Sequence, residues 1–67
     1  ELGQLISQFL REQSESARKI FIRRYWYMDS IRDISANMNI SESKVKSILF
    51  RLRGKLRDYL EKEGITL

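Results

Sequence analysis

The stretch "SIRDISANMNISESKVKSILF", residues 30–50, carries three punctuation signals in twenty-one residues. Ser30 is followed three residues later by Asp33, which resembles a capping box with Asp in place of Glu, so a short helix should start at Ile31 and run to about Asn37 or Met38. Asn39 tolerates left-handed dihedrals and ends that helix within a turn. Ser41 then caps a second, longer helix whose apolar residues Val45, Ile48, Leu49, Leu52, Leu56, Tyr59 and Leu60 form one stripe.

Two helices joined by so sharp a turn fit a helix-turn-helix template, which needs buried apolar positions on both helices. Ile34 and Met38 face inward from the first helix, Ile40 plugs the turn, and Val45 and Ile48 face inward from the second. The template also prefers a small residue after the first buried position and Gly at the turn. Ser35 and Asn39 stand there, and Asn can take the left-handed conformation that Gly would supply.

Outward from this stretch the chain reads as all-helical, a small bundle of about four helices with a long recognition helix at its carboxy-terminal end. Leu2, Leu5, Ile6, Phe9 and Leu10 recur at helical spacing, giving a first helix over about residues 2–12. Ser14 or Ser16 caps a second through Ala17, Ile20, Phe21, Ile22, Tyr25 and Trp26. Its crowded apolar end is expected to be the centre of the fold, with Tyr25 and Trp26 in the core. Gly64 is the expected stop of the last helix. There is no Pro, repeat or Gly-rich linker, so residues 1–67 read as one winged-less helix-turn-helix domain. Because the chain opens at Glu1, it is expected to be a fragment of a longer protein.

Composition narrows the function. At 67 residues, folding buries only about 60 % of the unfolded chain's surface, which leaves little room for a deep substrate pocket. With no Cys and no His, the chain lacks thiolate and imidazole metal ligands and the usual near-neutral acid or base. No enzyme activity, cofactor, metal or small-molecule substrate is expected. No apolar run approaches the roughly 18 residues of a membrane span, so a cytoplasmic, nucleoid-associated protein without membrane contact is expected.

Net charge is +4, and its distribution says more than its size. Lys44, Lys46, Arg51, Arg53, Lys55 and Arg57 stand between Ser43 and Arg57 with no acid among them. That concentration is the electrostatic footprint expected for a polyanionic partner, although charge alone also suits an acidic membrane or an acidic protein. The helix-turn-helix register favours duplex DNA. Burying Val45, Ile48, Leu52 and Leu56 puts Ser43, Ser47, Phe50, Arg51 and Gly54 on the opposite face at about 100° per residue, with Lys44 and Lys46 on its flanks. A helix of that width fits the major groove, so Ser43, Lys44, Lys46, Ser47, Phe50 and Arg51 are the candidate DNA-reading residues. Phe50 would touch a thymine methyl, or else pack against a neighbouring element. Ser30, Arg32 and Arg53 are the candidate phosphate contacts, Arg32 from the first turn of its helix.

The run "RRYWYMDSIRDISANMNISESKVKSILFRLRGKLRDYL" with the preceding "ARKIFI" resembles the carboxy-terminal promoter-reading domain, region four, of bacterial RNA polymerase sigma factors of the extracytoplasmic-function type. The resemblance covers about residues 10 to 62. Its most specific pieces are Arg24-Tyr25-Trp26, Ser30 with Ile34, and Ser41 through Arg53, including "KVKS" and "FRLR". It implies that the last helix enters the major groove of the minus-35 promoter element and that the domain docks on the flap of the polymerase β subunit; an anti-sigma protein is a further candidate partner, the one a non-DNA interaction module would take. By position it assigns Lys46, Ser47, Phe50 and Arg51 to the groove and Arg24 to a phosphate. The family's usual Leu-Pro before the second helix is Gln13-Ser14 here, and its Gly-Leu before the third is Met28-Asp29. The runner-up is the LuxR-type output domain of a response regulator, also four helices around a helix-turn-helix but with a shorter recognition helix.

Overall fold

The computed structural model describes residues 1–65, so Thr66 and Leu67 at the end of the expected 1–67 domain lie outside the described residues. The described residues form four helices and no strand: α1 (Leu2–Arg11), α2 (Glu15–Tyr25), α3 (Ile31–Met38) and α4 (Glu42–Lys62). Each of the last three starts on a serine whose side chain accepts from a backbone amide three residues on. Ser14 takes the amide of Ala17, Ser30 that of Asp33 and Ser41 that of Lys44. A hydroxyl there satisfies a donor that the first turn leaves orphaned.

Helix ends are set with equal economy. Asn39 takes φ 57°, and Ile40 N–H donates to the Ser35 carbonyl at 3.1 Å, which closes α3 and aims the chain back along α4. The Ser35 hydroxyl donates in turn to the Ile40 carbonyl, so the small residue at the helix crossing also fastens the turn. Gly64 takes φ 83° beyond α4, with Ile65 N–H on the Leu60 carbonyl and Gly64 N–H on that of Glu61. This double closure is what a Gly after a helix permits.

The core has two lobes joined by Ile48. In one, Ile20 of α2, Ile34 of α3 and Val45 and Leu49 of α4 are fully or almost fully buried, with Ile31, Met38 and Ile40 packed around them. In the other, Phe9 and Leu10 of α1 meet Leu52, with Phe21, Leu56 and Tyr59 at its edge. α4 is common to both lobes. Burying each such side chain is worth about 1.5–3 kcal/mol, so the position and roll of α4 are fixed by five or six residues acting together. α1 is tied to α4 a second time by the Tyr59 hydroxyl donating to Gln8 Oε1 at 3.3 Å.

One expectation is overturned. Tyr25 and Trp26 are not in the core: Tyr25 is 43 % and Trp26 79 % exposed. At about 100° per residue Trp26 lies some 120° round the axis from Ile20, and it stands just past the last residue of α2, so burying Ile20 does not carry Trp26 into the core. α2 ends at Tyr25, and Trp26, Tyr27 and Met28 follow as an exposed apolar tip.

Candidate nucleic-acid interface

Because Val45, Leu49 and Leu52 point into the core, the opposite side of α4 must face solvent. Ser43, Lys44, Lys46, Ser47, Phe50 and Arg51 are all exposed, and Lys46, Ser47, Phe50, Arg51 and Arg53 line one shallow surface depression along the helix. All six expected groove residues thus lie on the free side of α4. Phe50 is 72 % exposed and packs in neither core lobe, so among the described residues no core packing explains an aromatic ring at that position.

The cations of α4 keep their charge available. Among the described residues the ion pairs are Lys19–Glu15 at 3.0 Å and Arg23–Asp29 at 3.4 Å, neither on α4. Lys44, Lys46, Arg51, Arg53, Lys55 and Arg57 therefore have no carboxylate partner among those residues. The acids of α4 stand toward its two ends, Glu42 in the first turn and Asp58 and Glu61 beyond Arg57. Tyr59, near the far end of α4, has its phenol pushed above the ordinary range, first by loss of water and then by the negative charges of Glu63 and Glu12.

The four expected phosphate contacts are placed differently from one another. Arg32 is exposed at the start of α3. Ser30 uses its oxygen to accept from Asp33 N–H, leaving its own hydroxyl proton free to donate. Arg24 is half-buried and donates through Nη1 to the Asp29 carbonyl at 3.0 Å, bracing the loop between α2 and α3 while retaining further N–H donors. Arg53 donates through Nη1 to the Tyr25 hydroxyl at 2.7 Å, joining α4 to the end of α2. Neither the Arg24 brace nor the Arg53–Tyr25 bond is legible from helical spacing, since one spans a loop and the other twenty-eight residues.

A second surface is apolar. Ile6 and Leu10 of α1 with Phe21, Ile22, Tyr25 and Trp26 around the end of α2 line a concavity that shares no residue with the α4 depression. Among the described residues no group of three or more His, Cys, Asp or Glu could hold a metal ion, and no helix is long and apolar enough to cross a membrane.

Neither the curated proteins nor the solved structures contain a match to this chain. The family described as Sigma-70, region 4, matches residues 10–58, which run from the end of α1 through all of α2 and α3 and most of α4. With the helix-turn-helix and its unpaired basic face inside that span, the chain belongs to the sigma-70 region 4 family, DNA-binding regulatory domains through which sigma factors recognise promoters together with RNA polymerase.

Proposed function

We infer that this chain is the promoter-reading domain of a sigma factor of the extracytoplasmic-function type, acting in the cytoplasm as one helix-turn-helix domain that lays α4 in the major groove of a minus-35 element. The observation that carries this reading is the outward row of Lys46, Ser47, Phe50 and Arg51 on a helix whose roll is fixed by the core and whose cations have no carboxylate partner among the described residues. Lys and Arg there can donate to guanine O6 and N7, Ser to either base type, and the Phe50 ring can meet a thymine methyl. Ser30, Arg32 and Arg53, with Arg24 behind the loop, supply donors to phosphates, which set register without reading sequence. The apolar concavity at the end of α2 suits the polymerase β flap, and an anti-sigma protein would compete for the same exposed aromatic residues. A LuxR-type reading is not favoured, since the family matched is that of sigma factors.

Selection from a random duplex library tests the proposal. One short asymmetric motif should be enriched, and its enrichment should vanish in Arg51→Ala. Two symmetric half-sites, or no enrichment at all, would overturn it.

A further inference from the structure

The bond between Arg53 and Tyr25 joins the basic face of α4 to a neighbouring helix. Arg53 stands about 200° round the helix from Arg51, and both line the depression around Phe50. Of the two, Arg53 alone has a side-chain partner among the described residues: its Nη1 donates to the Tyr25 hydroxyl at 2.7 Å. Tyr25 is itself fixed, because its ring lies 4.8 Å, centroid to centroid, from that of Phe21, and Phe21 packs on the core lobe that contains Leu52.

The chemistry of the partner matters. Arg23 is held by a carboxylate, Asp29, which cancels much of its charge at a distance. A tyrosine hydroxyl is uncharged, so it restrains Arg53 without neutralising it. A guanidinium carries five N–H donors, and one bond to Tyr25 leaves four for another acceptor. Long basic side chains lose much rotamer freedom when immobilised, and a side chain already restrained has less to lose on binding.

We propose that Tyr25 is a positioning residue for DNA binding: its hydroxyl holds Arg53 at the edge of the α4 face as a preset, still charged donor for a backbone phosphate at one wall of the major groove. The end of α2 thereby takes part in that face. The inference rests on the groove-binding reading of α4.

Affinity for a mixed-sequence duplex of about twenty base pairs, measured over a salt series for the wild-type chain, Tyr25→Phe, Arg53→Ala and the double variant, tests it. Arg53→Ala should weaken binding about five- to tenfold and reduce the log–log salt slope by about 0.9, one phosphate contact. Tyr25→Phe keeps the ring and the charge. It should weaken binding about threefold with the slope unchanged and the melting temperature within about 3 °C of wild type. The double variant should bind like Arg53→Ala alone, since without Arg53 the hydroxyl has nothing to position. A Tyr25→Phe chain that binds like wild type, losses that add in the double variant, or a Tyr25→Phe chain that melts far lower would each overturn the role of Tyr25 while leaving groove binding intact. Wild-type affinity that ignores salt would instead overturn the groove reading itself.

Discussion

Met28 holds φ 61° in the loop between α2 and α3, a conformation that costs a residue with a Cβ about 1–2 kcal/mol. Its side chain is exposed and repays little of that cost. Met28→Gly removes the clash but adds freedom to the unfolded chain, so the net gain should be about 0.5–1 kcal/mol, read as a higher urea midpoint at unchanged slope. An unchanged midpoint would mean that the Met28 side chain is held by contacts its exposure hides. Asn39, at φ 57°, differs in kind, since Asn visits this region readily and Gly there should gain only a few tenths of a kcal/mol. Gly54 is the opposite case. It sits inside α4, where a Cβ would meet nothing within 4 Å, so Gly54→Ala should stabilise the domain by about 1 kcal/mol. If that variant also lost DNA affinity with its fold intact, the small residue would be serving close approach to the groove.

At the scale of the helix, the serine caps made most boundaries legible, because a hydroxyl reaching an amide three residues on is local chemistry that sequence displays. α3 and α4 begin after Ser30 and Ser41 as the sequence indicates, and Ser41→Ala should cost about 1 kcal/mol. The free face of α4 was legible for a related reason: an apolar stripe from Val45 to Leu60 leaves only one way for the helix to roll. The end of α2 was not. Its apolar residues are spread around most of the helix circumference, and spacing alone does not say which side wins. The core chose Ile20 and released Trp26. Tertiary hydrogen bonds such as Arg24 to the Asp29 carbonyl and Arg53 to Tyr25 were equally hidden, since each depends on where two elements come to rest. Trp26→Ala separates the two accounts of α2. A core tryptophan would cost about 3–5 kcal/mol, whereas the exposed one should cost under about 1 kcal/mol while weakening capture by a purified polymerase β flap.

Over the whole molecule, the core sets the face and the face sets the binding signature. A chain of 67 residues has a stability of only about 3–10 kcal/mol, so Ile34→Ala, at a cost of about 2–5 kcal/mol, should lower the melting temperature steeply, and binding should fall only as far as the folded fraction does, with the α4 surface untouched. Substitutions on the face should act in the reverse way, changing binding and sparing the fold. Arg51→Ala should cost about 1–3 kcal/mol at the preferred duplex and narrow its advantage over a scrambled one, while Lys55→Ala, farther along α4, should cost less and alike for both. Phe50→Ala is the sharpest of the three because it removes contact area and no charge. With the ring 72 % exposed, the melting temperature should stay within about 3 °C of wild type, the salt slope should not move, and discrimination between matched and scrambled duplex should fall. Affinity on both duplexes across a salt series, with a thermal melt, reads all three quantities. A changed salt slope would mean that losing the ring shifted Lys46, Arg51 or Arg53, so that Phe50 would act by spacing the cations rather than by meeting a base.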